Sequence, residues 1–288
     1  LDGNITTFIA GIILMALGTG TVRGFAYTLM ISIGLSMVTA IFIAKWIMKA
    51  LYALGFKSEK FYGKAKTVKV IDFMKHRFVY FIISAVVVIY GIMQIKKYTA
   101  ENDDAMPLLA LSGAFMFILS SLKMPSVSGS CSHPCGNGLG TAFFGPAVTA
   151  VLSVIVLLFQ AILLAHGGLT TLGANIFSMG IMGPVCGYIV WVALRKANIS
   201  ASISMFFTAF VADLMTYITT SVELALAFPG ADMGATFATF FGIFAITQIP
   251  LAIAEGLLST VIYNYIENAR PDILVKLGVI SEQEAGAN

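Results

Sequence analysis

Apolar runs of membrane-spanning length recur along almost the whole chain, and no other feature limits its fold as strongly. A bilayer's hydrocarbon core is ~30 Å thick and a helix rises about 1.5 Å per residue, so a span needs about 20 mostly apolar residues. Eight stretches read as spans: residues 5–17, 24–43, 78–93, 106–122, 148–164, 172–194, 203–219 and 235–258. The first is short alone and is set off by a glycine-rich turn at residues 18–24. Residues 138–145 are too short to cross and read as a half-helix ending at Gly145-Pro146. The fold class expected is therefore all-α, a polytopic transmembrane helical bundle of about eight to nine membrane segments. With 58% apolar and 11% charged residues, the chain is not a disordered polymer, a coiled coil, a nucleic-acid binder or an ordinary water-soluble enzyme.

Charge supplies the topology. The net charge is only +3, but residues 45–77 hold nine of the 17 Lys and Arg, opposed by Glu59 and Asp72 alone. Basic segments beside spans stay in the cytoplasm, so three parts are expected. Residues 1–44 form two transmembrane helices, 45–77 a basic cytoplasmic linker, and 78–288 a larger membrane domain. The linker is a solvated, topology-setting loop, with no nucleic-acid role. The two sides of the linker disagree about the span at 78–93. An inside linker sends that span outward and leaves Lys96 and Lys97 outside, whereas placing Lys96, Lys97, Arg195, Lys196, Arg270 and Lys276 inside reverses it. The second arrangement puts residues 125–136 outside, and a junction near residues 84–90 would account for the conflict. The chain opens at Leu1 with no initiator Met, which suggests a missing or replaced N-terminus.

Metal-type chemistry is concentrated in one loop. His133 stands between Cys131 and Cys135, followed by Pro134 and by glycines at 136, 138 and 140. Imidazole suits Co²⁺, Ni²⁺, Cu²⁺ or Zn²⁺, and the Pro and Gly residues let the loop fold back on itself. The plainer reading of His133 is a loop histidine bonded to backbone. Cys131 and Cys135 are open to three readings: metal ligands, a disulfide, or packed thiols, with packing or a disulfide favoured. His166 precedes Gly167-Gly168 as a turn histidine or a further ligand, and Thr171 and Asn175 offer outer hydrogen bonds to the loop. Asp213, Gln248 and Glu255 are polar groups inside spans. Asp213 is expected in a helix–helix contact, and Glu255 near the inner, wetter end of its helix. No phosphate-cradling Gly-rich loop ending in Lys-Ser/Thr occurs, so the chain binds no nucleotide, and no catalytic Ser/His/Asp or Cys/His set marks it as an enzyme.

Two families are resembled. Residues 1–88, through Leu1-Asp2-Gly3-Asn4-Ile5-Thr6-Thr7, Gly18-Thr19-Gly20 and Ile71-Asp72-Phe73-Met74-Lys75-His76-Arg77, resemble the end of the export subunit SecD followed by the start of SecF. About residues 90–278 resemble the CbiM cobalt permeases and their nickel relatives of the NikM type. That resemblance rests on Gly129-Ser130-Cys131-Ser132-His133-Pro134-Cys135-Gly136-Asn137-Gly138-Leu139-Gly140, on the run from His166 to Asn175, and on Pro250-Leu251-Ala252-Ile253-Ala254-Glu255-Gly256.

The second resemblance implies the substrate-binding membrane component of an energy-coupling-factor transporter. Its cargo would be Co²⁺ or Ni²⁺, feeding cobalamin biosynthesis. Its partners would be a membrane coupling subunit, ATPase subunits and a small accessory membrane subunit, in a bacterial or archaeal cytoplasmic membrane. It also implies a ligand set in which a Met-His N-terminus gives its amine, a backbone nitrogen and an imidazole, completed by the residue matching His133. Such near-square nitrogen ligation favours Ni²⁺, Cu²⁺ or low-spin Co²⁺ over Zn²⁺. No Met-His start precedes residue 78 here, so weak metal capture is expected of the chain as written. The alternative readings are a SecD/SecF-type export component or a non-functional composite of the two.

Overall fold

The computed structural model describes residues 44–55, 77–102, 104–122, 124–125, 131–164, 168–169, 171–228 and 232–285, with scattered positions before 44. The expected spans at 5–17 and 24–43, most of the basic linker and His166 lie outside the described residues. The chain divides into two compact units. One comprises Leu1–Val68 with Leu158–Leu172, the other Lys69–Leu157 with Gly173–Asn288. In the first, helix α1 (Ala44–Ala53) carries the first two lysines of the basic segment and stops in a turn at Gly55, whose φ of 95° suits a residue without a side chain.

The second unit holds the bundle. Helix α2 (Arg77–Glu101) turns through Asn102, whose side-chain oxygen accepts the Asp104 N–H at 3.0 Å, into α3 (Ala105–Ser121). A two-residue antiparallel ladder then pairs Met124–Pro125 with Cys131–Ser132. It brings the chain back toward its own start and opens the His133 loop. Next comes α4 (Asn137–Phe144), the half-helix expected from the sequence, with all eight residues buried. It ends at Gly145, φ 80°, and Pro146 begins α5 (Pro146–Leu163). Helix α6 (Leu172–Lys196) is helical throughout but loosens to π geometry over Ile176–Met182. Helix α7 (Ala201–Ala227) is capped by Ser200, and α8 (Met233–Ala269) by Asp232. Two short helices follow, α9 (Pro271–Lys276) and α10 (Glu282–Ala285).

Among the described residues, four helices are long and apolar enough to cross a membrane: α5, α6, α7 and α8. The expected count of eight to nine is not reached there, because α3 is a shorter apolar helix and the two N-terminal stretches are not described. Among the described residues the fold is all helical apart from the four-residue ladder. The helices present apolar side chains outward as well as inward, with Ile118 60%, Val261 65% and Ile246 73% exposed. In lipid such faces gain nothing by burial against one another, so close packing and internal hydrogen bonds must hold the helices together. Glycines supply the approach between α6 and α7. A Cβ on Gly183 would stand 2.3 Å from the Thr216 hydroxyl, and one on Gly187 2.8 Å from the Ala212 Cβ and 2.9 Å from the Thr208 carbonyl.

Helix α8 has 37 residues, roughly 55 Å at the usual rise, and so overruns the ~30 Å core. Its far end is held by the C-terminal segment: Tyr263 and Ile266 share one apolar cluster with Phe143, Phe144, Trp191, Ile273, Leu274, Val279 and Ile280. Ion pairs outline the same end, Arg270 and Lys276 with Asp104, and Arg195 with Glu284.

Two outcomes follow from this packing. Gly187→Val should cost about 1–3 kcal/mol through overpacking, seen as a lower thermal midpoint in detergent. Gly173→Ala, with nothing within 4 Å of the new methyl, should be neutral or slightly stabilising. The second outcome concerns pH. The Arg195 guanidinium and the Ser281 N–H hold the Glu284 carboxyl below its ordinary range. A depressed folded pKa stabilises above the unfolded value, and that contribution disappears as pH falls through the folded one. Docking of α10 should therefore be intact above the ordinary glutamate value of about 4.3 and loosen as pH falls below it. Since Arg195 lies 5.9 Å over the Trp191 ring, Trp191 fluorescence in a Trp46→Phe background should report the change, and Glu284→Gln should abolish its pH dependence.

Candidate metal-binding loop

Irregular backbone at membrane depth needs every N–H and C=O satisfied by protein. Around His133 and Cys135 that demand is met by side chains from two helices. The Tyr217 hydroxyl of α7 accepts the His133 N–H at 2.9 Å and donates to the His133 carbonyl at 3.2 Å. The Gln248 amide of α8 donates to the same carbonyl at 3.3 Å and to the Asp213 carboxyl of α7. Beyond Pro134, which has no N–H to offer, the Cys135 N–H is shared by Glu255 Oε2 at 2.6 Å and Asp213 Oδ1 at 3.1 Å. Asn137 Nδ2 reaches the Met179 carbonyl in the π stretch of α6 at 2.9 Å, and the Ser132 and Thr247 hydroxyls pair at 2.8 Å.

Close backbone contact fixes the rest. Gly136 has φ 69° and lies so near α3 that a Cβ would be 2.6 Å from the Met116 Cα. A Cβ on Gly138 would be 2.3 Å from the Ala209 Cα of α7. The Gly-rich spacing therefore serves close approach as well as chain reversal.

The His133 ring is 7% exposed and packs edge-on against the Tyr217 ring, with centroids 6.1 Å apart. Its Nδ1 lies 3.0 Å from the Pro134 carbonyl. A carbonyl only accepts, so Nδ1 carries the proton in the neutral ring, and Nε2 keeps the lone pair that a cation would use. The backbone-bonded histidine of the plainer reading is thus present at Nδ1.

The other expected site residues divide. Cys135 is wholly buried, its thiol free and its N–H engaged as described. Cys131 lies on the ladder, and the placement of its side chain is outside the described residues, as is His166. Thr171 is exposed and bonds back to the Gly168 carbonyl at 3.4 Å. Asn175 is half-buried at the start of the π stretch, where its carbonyl accepts from Ser178. The recorded hydrogen bonds of both stay within their own turns, so the expected support of the loop comes instead from Asp213, Tyr217, Gln248 and Glu255. Glu255 corrects its expectation most clearly. It is fully buried beneath the loop, not wetted near a helix end. Asp213 does make the expected interhelical contact, to Gln248, but also holds the loop. Tyr217 and Asn137 were not singled out from the sequence; the spacing of Tyr217, four residues after Asp213 on one face, was the available signal. The loop is also deeper than a surface site, since Asp213 and Tyr217 sit near the middle of α7. No group of three or more His, Cys, Asp or Glu able to hold a metal occurs among the described residues, so His133 needs ligands from elsewhere.

Comparison with known proteins places this geometry in a family. Residues 73–273 match the model of CbiM, described as the cobalt uptake substrate-specific transmembrane region. That match begins ahead of the expected start near residue 90 and includes α2 whole. A protein of Methanosphaera stadtmanae named "Putative cobalt transport protein CbiM" is 70% identical over 210 residues, 73% of this chain and 94% of its own length. The like-named protein of Methanocaldococcus jannaschii is 58% identical over 206 residues, 72% and 88% of the two chains. The crystal structure of a truncated transition-metal transporter, 20% identical, shares the fold with a TM-score of 0.56 over 66% of this chain and 93% of that one. The export-type resemblance of residues 1–88 gains no support from these comparisons. The chain is a multi-pass membrane protein of transporter type, and it belongs to the CbiM family of cobalt uptake transmembrane regions.

Proposed function

We propose that the chain is the substrate-binding membrane component of an ATP-driven energy-coupling-factor transporter. It takes up Co²⁺, or Ni²⁺, across an archaeal cytoplasmic membrane and supplies cobalamin synthesis. One observation carries this reading: the His133 imidazole, its Nδ1 bonded to the Pro134 carbonyl, is fixed in a loop whose backbone is held by side chains of α7 and α8. A ring so fixed loses little further freedom on binding, and a preorganised ligand binds more tightly than a mobile one. Binding cannot rest on His133 alone, and the family resemblance assigns the other nitrogens to a Met-His N-terminal segment. Power and release belong to the partners, a coupling membrane subunit with ATPase subunits and a small accessory membrane subunit. Hydrogen-bonding support of the loop comes from Asp213, Tyr217, Gln248 and Glu255. The export alternative has no specific observation in its favour.

Calorimetric titration of the purified membrane protein with Co²⁺, Ni²⁺ and Zn²⁺ tests the reading. It should be run on the chain as it stands and on a form in which a Met-His start directly precedes residue 78. The second form should bind Co²⁺ or Ni²⁺ more tightly than the first and prefer both to Zn²⁺. His133→Ala in that form should weaken binding by more than about tenfold, the minimum lost when even an outer partner of a ligand is removed. Affinity unchanged by His133→Ala would overturn the assignment.

A further inference from the structure

Asp213 and Glu255 are two carboxyl groups buried completely inside a membrane bundle, and nothing in the uptake reading gives them work. Intramembrane carboxyls are expensive to keep and normally pair with one another, with a basic group or with backbone. Among the described residues every ion pair is made by Arg195, Arg270 or Lys276, all at the far end of the bundle. Asp213 and Glu255 instead meet side by side over one backbone group of the loop, and Asp213 also accepts from Gln248. Cys135 N–H donates to both, from a position two residues after the imidazole.

We propose that Asp213, Glu255, Gln248 and Tyr217 are the positioning residues of the His133 imidazole, gripping the backbone on both sides of Pro134 from two different helices. This rests on the reading of His133 as the ligand. The geometry is bilateral. Ahead of Pro134, Tyr217 of α7 takes both the N–H and the carbonyl of His133, and Gln248 of α8 takes the carbonyl again. After Pro134, Asp213 of α7 and Glu255 of α8 take the next N–H. Gln248 closes the circuit by donating to Asp213. The two N–H groups flanking the proline are thereby fixed, and the Pro134 carbonyl that receives Nδ1–H is fixed between them.

Helix adhesion alone does not explain the arrangement. Hydroxyls elsewhere on α7, those of Thr208, Thr216 and Ser221, bond to carbonyls of their own helix at 2.7–2.9 Å, whereas Asp213 and Tyr217 of the same helix bond to the loop backbone.

The test reads the ring directly and needs no metal. The chain has three histidines, so ¹⁵N-histidine labelling gives a small set of imidazole signals, and loss of one set in His133→Gln identifies His133. At about pH 8, where an ordinary imidazole is neutral, the wild-type apo protein should show His133 as a single Nδ1–H tautomer. Tyr217→Phe, which removes one oxygen and keeps the ring, should mix the tautomers, and so should Glu255→Ala. Glu255→Gln keeps an acceptor for Cys135 N–H and should restore the single tautomer. In the Met-His form, Tyr217→Phe and Glu255→Ala should also weaken Co²⁺ affinity by about 10–100-fold and shift the visible ligand-field bands of bound Co²⁺. A purely structural role would lower the thermal midpoint and leave the tautomer unchanged. A His133 that keeps one tautomer in both variants, or in Tyr217→Phe alone should Glu255→Ala not fold, would overturn the proposal. Mixed tautomers in a protein whose wild type binds neither Co²⁺ nor Ni²⁺ would refute the uptake reading and leave the positioning role standing.

Discussion

The backbone of residues 133–136 has no regular partner at the depth where it lies, and the surrounding structure is arranged around that need. A peptide group left unsatisfied in a medium without water costs several kcal/mol. Helices avoid the problem internally, but a loop with a proline in its middle cannot. The side chains that answer it come from fixed registers of α7 and α8, so those two helices must meet at one rotation and one depth. The Cys135 N–H is the strictest condition of all, because Asp213 and Glu255 reach it together only if α7 and α8 are in contact at that level.

Small residues make this contact pattern possible. The loop is pressed on α3 at Gly136, the half-helix on α7 at Gly138, and α6 on α7 at Gly183 and Gly187. Each is a place where one methyl group would collide with a neighbouring backbone or side chain. The half-helix is consequently wrapped on several sides and fully buried, although it is only eight residues long. Such a segment gains little stability from its own hydrogen bonds. It stands because the surrounding helices were spaced to receive it, and it carries the loop at its N-terminal end.

Much of the framework was legible in the sequence because hydropathy needs no partner to be read. The stretches 148–164, 172–194, 203–219 and 235–258 each coincide, to within a residue, with a helix long and apolar enough to cross a membrane or lie inside one, and the half-helix was delimited by Gly145-Pro146. The extension of α8 to Ala269 was not legible. Residues 259–269 mix Tyr263, Asn264, Glu267 and Asn268 with apolar side chains, and their helix is completed by packing against the C-terminal segment. The π stretch in α6 left no compositional trace. In the site, the imidazole was legible from residue type and from its Gly and Pro neighbours, while its supports were not. Tyr217, Gln248 and Glu255 stand 84, 115 and 120 residues from their loop partners. Local periodicity groups residues on one helix face, as with Asp213 and Tyr217, but does not say which distant backbone that face will meet.

Helix α8 carries the loop contacts and those of the C-terminal segment in one continuous element. Its middle carries Thr247, Gln248 and Glu255 against the loop, and its last turns carry Tyr263 and Ile266 into the cluster closed by the C-terminal segment. From Gln248 to Ile266 is roughly 27 Å of helix at the usual rise. Between the two loop grips lies Pro250, which removes one helical N–H and lets the helix bend there at little further cost. A bend at that point changes the separation of Gln248 from Glu255, and with it the span of backbone held between His133 and Cys135.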